Sequence, residues 1–169
     1  MSVVNIAAGL VIGLGLLAST PKIGSDDPSG ALWITTETGT GTHKFVVEVA
    51  ATPEQQSRGL MYRKSMAADH GMLFILRQPR IVSFWMKNTY IPLDMLFLGR
   101  DGTILQIDDM TEPLTEDSHR SGMKVSGILE INGGLAKQLG ISVGDKVRHT
   151  AFRNLDNCGS ESSQMACQQ

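Results

Sequence analysis

The densest run of chemistry-bearing side chains in this sequence is Trp85-Met86-Lys87-Asn88-Thr89-Tyr90, with Asp94 four residues on. Phe84 and Trp85 are adjacent rings in a chain that is only 5% aromatic. Upstream, Arg58 and Arg63 fall in one short helical region. Guanidiniums fork onto carboxylate or hydroxyl oxygens, an ammonium adds a point charge, and an indole offers an apolar face. Arg58, Arg63, Trp85, Lys87, Asn88 and Asp94 therefore make a candidate site for a small polar or anionic ligand, a glycan among them. An architectural alternative stands beside it. Asp94 interrupts an apolar run, and a carboxylate buried without a partner is costly. Arg58, Arg63 or Lys87 would then pair with it and pin the helix to a sheet, with Trp85 in the core.

Glu130 is a second carboxylate inside an apolar run, followed by Asn132-Gly133-Gly134. The glycine pair before a helix either presents backbone N–H groups to an anion or makes a tight strand-to-helix turn. The alternative function is an envelope hydrolase using Asp94 or Glu130, with the two as an acid–base pair where one pocket holds both. A third reading is a structural protein that docks a partner through its long polar loop, Asp108–Gly122, or through the sheet edge. The chain has no G-x-S-x-G, no P-loop and no dinucleotide fingerprint, so the reading leans away from an enzyme. His43, His70, His119 and His149 are scattered without metal-ligand spacing, and no metal and no cofactor are expected. The acidic residues between Asp108 and His119 fit no calcium-loop pattern and read as solvated. Most of the nine methionines lie in apolar runs and read as core filler.

These groups need a scaffold, and composition bounds it. The chain has 169 residues, 41% hydrophobic and 19% charged, which suits one globular domain. A formal net charge of -2 gives no basic excess, so no nucleic-acid partner is expected. Residues 3–18 (VVNIAAGLVIGLGLLA) carry no charge and suit a signal-peptide core or a short membrane anchor. The n-region has no Lys or Arg and Pro21 follows the small residues, which favours insertion over cleavage. Residues 1–20 are thus expected to meet the membrane, and the product to be exported, periplasmic or membrane-anchored. Residues 21–44 read as a linker, 45–152 as one β-rich domain and 153–169 as a disordered tail. Cys158 and Cys167 lie in that tail and cannot staple the core.

Within 45–152, Phe45–Val49 reads as a strand. Thr52-Pro53-Glu54-Gln55 is a helix start with a capping box, and Gly59 ends the helix or interrupts it. Met72–Leu76, Ile81–Met86, Pro92–Leu98, Thr103–Ile107 and Lys124–Ile131 read as strands. Gly99-Arg100-Asp101-Gly102 is a hairpin turn, and Asp108–Gly122 a long irregular loop. Leu135–Leu139 is a short helix closed by Gly140, and a last strand runs from Gly144-Asp145 to about Phe152. The expected fold is mainly β: a compact antiparallel sandwich or barrel-like domain with two short helices.

Six motifs occur in a fixed order: Arg58-Gly59-Leu60-Met61-Tyr62-Arg63, Gly71-Met72-Leu73-Phe74, Phe84-Trp85-Met86-Lys87-Asn88-Thr89, Ile91-Pro92-Leu93-Asp94, Leu129-Glu130-Ile131-Asn132-Gly133-Gly134, and Gly140-Ile141 with Val143-Gly144-Asp145-Lys146-Val147. Together they resemble the domain of unknown function 192 family, from about Phe45 to Arg148. The resemblance implies a compact β-rich fold, often behind an N-terminal signal or anchor. It implies no particular activity.

Overall fold

The computed structural model describes residues 31–35, 41–150 and 152. The expected N-terminal anchor, the expected tail and both cysteines lie outside them. Among the described residues no helix is long and apolar enough to cross a membrane.

Among the described residues nine strands and two helices follow one another: β1 (Ala31–Thr35), β2 (Thr42–Ala50), α1 (Pro53–Arg58), β3 (His70–Arg80), β4 (Ser83–Phe84), β5 (Leu93–Leu98), β6 (Ile104–Thr111), β7 (His119–Arg120), β8 (Val125–Asn132), α2 (Leu135–Leu139) and β9 (Lys146–Arg148). Seven strands form one sheet in the order β6-β5-β8-β3-β2-β1-β9, and β4 pairs with β7 apart from it. The large sheet curls into a half-barrel. Its two outer strands meet where Thr103 bridges Lys146, the Ile104 N–H donates to the Asp145 carbonyl, and the Val147 N–H donates to the Gly102 carbonyl. Gly102 sits at φ +77°, and a Cβ there would collide with the Val147 carbonyl oxygen, so the closure requires glycine.

The mainly β fold with two short helices stands as expected, with five departures. The expected linker contains β1, which pairs with both β2 and β9, so the folded part begins before Phe45. The sheet is not wholly antiparallel: β2 and β3 run parallel, because α1 carries the chain back to the same end. Of the strand expected over Ile81–Met86 only Ser83–Phe84 pairs. The loop expected over Asp108–Gly122 instead lengthens β6 to Thr111 and supplies β7. The last strand also stops early, at Arg148.

Both faces of the central strands are covered, which explains the near-continuous apolar runs of β5 and β8. In β5, Leu96 and Leu98 point with Leu129 and Ile131 towards α2 and its Ala136. Met95 and Phe97 point the other way with Ile128 and Phe74, under Leu60, Met86 and Ile91. This second face carries the candidate site.

Candidate functional site

Register decides which of the two carboxylates can serve a ligand. Asp94 lies opposite Ile131 and Met95 opposite Glu130, so Asp94 and Glu130 project from opposite faces of the sheet. They form no acid–base pair, and the hydrolase arrangement that needs them together is absent.

Asp94 is fully buried, and among the described residues no arginine pairs with it. Its Oδ1 accepts from the Met110 N–H at 2.9 Å and the Gly134 N–H at 2.7 Å, and its Oδ2 accepts from the Ala136 N–H at 2.8 Å. The cap residue of α2 is Gly134, which has no side chain to satisfy the first-turn donors. Asp94 reaches across from β5 and does so in its place. The expected anion at the glycine pair is therefore the protein's own carboxylate. Asp94 belongs to the scaffold and is corrected out of the ligand site.

Glu130 has the opposite environment. On its strand row it stands between Met72 of β3 and Met95 of β5, and Glu48 of β2 lies opposite Met72. Only 4% of it is exposed, and among the described residues its carboxyl makes no hydrogen bond or ion pair. Burial pushes its pKa up to about 8, so the group is largely neutral at physiological pH. What little surface it has faces a cavity of about 380 Å³.

That cavity lies between α1 and the segment 80–89. Arg58, Arg80, Gln56, Ser57, Ser83, Trp85 and Thr89 line it, over an apolar floor of Leu60, Phe74, Leu76 and Phe84. Local sequence fixes its walls. Thr52 and Gln55 close a reciprocal capping box on α1, with Pro53 in the first turn, so the helix holds although none of its residues is buried. Gln56 then ties α1 to the sheet, donating to the carbonyls of Ala50 at 3.2 Å and Ile75 at 2.8 Å. Phe84 stands edge-on to Phe74, centroids 5.1 Å apart. Trp85, one residue on, turns outward and is 55% exposed, which rules out the core role of the architectural alternative.

A second cavity of about 460 Å³ adjoins the first through Arg58, Gly59 and Met61, and adds Glu48, Gln55, Tyr62, Arg63 and Met72. Arg63 donates to Glu48 at 2.6 Å, and that bond holds the Glu48 carboxyl below its usual range. Lys87 pairs with Glu116 at 3.1 Å and lies 5.9 Å from the Trp85 ring centroid. Asn88 donates to the Tyr62 hydroxyl at 3.0 Å, and its carbonyl accepts from the Tyr62 N–H at 2.8 Å.

Of the expected site residues, Arg58 and Trp85 thus line one cavity, Arg58 and Arg63 line the next, and Lys87 and Asn88 buttress the rim. Sequence reasoning placed Glu130 only in a hydrolase, and it missed Arg80 and Tyr62. The signal for Glu130 was available: a lone carboxylate in a run as apolar as β8. Among the described residues no group of three or more His, Cys, Asp and Glu side chains could hold a metal ion.

Two solved structures resemble this chain over most of the folded part. One is a protein of Sinorhizobium meliloti 1021 described as a "putative transcription regulator". It is 45% identical, with a TM-score of 0.70, over 72% of this chain and 93% of its own. The other is a protein of unknown function from Novosphingobium aromaticivorans DSM 12444. It is 39% identical, with a TM-score of 0.68, over 70% of this chain and 84% of its own. Comparison with curated proteins gives no match. The family model described as DUF192, uncharacterized ACR, matches residues 34–149, and the chain belongs to that family.

Proposed function

We propose that this domain is a binding module for a small, polar, anionic molecule held in the cavity between α1 and the segment 80–89. One observation carries the reading: Glu130 is a buried carboxyl without a partner among the described residues, aimed into a cavity that two arginines line. A polar group buried without a hydrogen bond costs stability, and folds retain such groups where a ligand uses them. With Glu130 neutral, Arg58 and Arg80 leave the cavity cationic. A ligand acid would be forked by a guanidinium, its hydroxyls would meet Gln56, Ser83 and the Glu130 carboxyl, and its apolar face would lie against Trp85. Acidic sugars and hydroxylated organic acids fit that description.

The apolar run at residues 3–18 supports an exported or membrane-anchored site of action. Membrane fractionation of cells with and without residues 1–20 tests that part. The regulator description of the Sinorhizobium protein is not carried over, since a net charge of -2 gives no surplus for a phosphate backbone.

A thermal-shift screen of sugar acids, hydroxy acids and nucleotides tests the binding reading. A ligand at a hundredfold excess over its Kd adds about 2.7 kcal/mol, a rise of several degrees. The expected result is such a rise in the wild type, lost in Arg58→Ala. No rise with any compound, or a rise that survives Arg58→Ala undiminished, refutes it.

A further inference from the structure

Two cavities meet where α1 ends, and we infer that they form one bipartite site for an acidic oligosaccharide. The inference rests on the ligand-binding reading above and specifies its ligand class. Arg58, Gly59 and Met61 line both compartments, so the two adjoin at Arg58. The Arg58 guanidinium makes no hydrogen bond or ion pair among the described residues and is available to such a ligand.

Three features select a carbohydrate over other elongated anions. First, each compartment has an exposed ring: Trp85 at 55% beside one and Tyr62 at 57% in the other. Amphipathic rings of this kind offer a flat apolar face with a polar tip. Second, the Tyr62 ring is held in place. Tyr62 and Asn88 both adopt left-handed backbone conformations, at φ 66° and 57°, which asparagine takes readily and a bulky residue such as tyrosine rarely does. Two hydrogen bonds lock the pair together, and Tyr90 packs edge-on to Tyr62 at 6.3 Å. An exposed ring fixed at the cost of backbone strain is the mark of a binding surface. Third, the cations fall singly: Arg80 in one compartment, Arg58 in both, and in the other Arg63, which a ligand carboxylate would take over from Glu48. Uronates carry one carboxylate per sugar, whereas phosphates concentrate their charge. Amides and hydroxyls fill the intervals, as sugar hydroxyls require.

Titration calorimetry on the full chain tests this with uronate-containing disaccharides (digalacturonate, cellobiuronate and an unsulfated hyaluronan disaccharide), and with galacturonate, cellobiose and citrate. At least one acidic disaccharide should bind about tenfold or more tightly than galacturonate, cellobiose and citrate, the margin of one charge-assisted contact. Arg63→Ala should remove about that factor for the disaccharide and leave galacturonate unchanged, with Arg63→Lys intermediate. Melting curves of both variants show that they are folded. Disaccharides binding no tighter than galacturonate, or citrate matching them, overturns the inference. If a compound from the wider screen binds through Arg58 while every disaccharide fails, the bipartite site falls and the binding reading stands. If nothing binds, both fall.

Discussion

Replacing Glu130 with glutamine should make the protein more stable at neutral and alkaline pH, by an amount that grows with pH. The group titrates near 4.5 when solvated and at about 8 in the folded protein. Below pH 4.5 both states hold the proton and the carboxyl adds no pH dependence. Between 4.5 and 8 the unfolded chain releases a proton that the folded one keeps, so folding stability falls as pH rises. The slope is about 1.4 kcal/mol per pH unit, giving a loss of about 3 kcal/mol by pH 7 and about 5 above pH 8. Glu130→Gln keeps the shape and the neutral form and removes the titration. Urea unfolding of both proteins at intervals from pH 5 to 8.5 measures the difference. His149, whose imidazole is held below its usual pKa by burial, affects both proteins alike and cancels. The two stabilities should nearly coincide at pH 5 and diverge by about 4 kcal/mol at pH 8.5. A difference that stays constant across that range would refute the reasoning, because Glu130 would then titrate as a solvated carboxyl.

Asp94→Asn should cost about 2–3 kcal/mol in urea unfolding, since an amide nitrogen would face the Ala136 N–H where Oδ2 now accepts from it. Asp94→Ala should cost more, and a loss below about 1 kcal/mol for either would show that α2 does not depend on this anchor. Gly102→Ala should lower the unfolding free energy measured in urea by about 2 kcal/mol or more, from the left-handed φ and the collision with the Val147 carbonyl. It should also speed amide exchange at Val147 and Ile104, and unchanged exchange there would argue against closure at that point.

The parts of the fold that local chemistry dictates were legible in the sequence. Thr52, Pro53 and Gln55 announce α1 because a capping box is made by residues three apart. Gly140 closes α2 in the left-handed conformation for the same kind of reason. Apolar runs announce β5 and β8 because both faces of those strands are covered. Pairing was not legible. That β2 and β3 run parallel follows from where α1 delivers the chain, and β1 is a five-residue, mainly apolar run between polar flanks whose place in the sheet depends on its pairing with β2 and β9. The site shows the same division. Asp94 and Glu130 look alike in sequence, each one acid in an apolar run. A one-residue offset in register gives one of them three backbone donors and the other an empty cavity. Arg58 and Trp85 could be singled out by type, but not their meeting, which depends on Gln56 docking α1 against β3.

The carboxyl carbon of Glu130, followed by NMR in selectively labelled protein, tests the binding site most directly. Without ligand its titration midpoint should lie at about 8. Addition of the compound with the largest thermal shift should move its resonance in the wild type and leave it in place in Arg58→Ala. A midpoint near 4.5, or a resonance indifferent to every compound that stabilises the protein, would contradict a ligand site built on this residue.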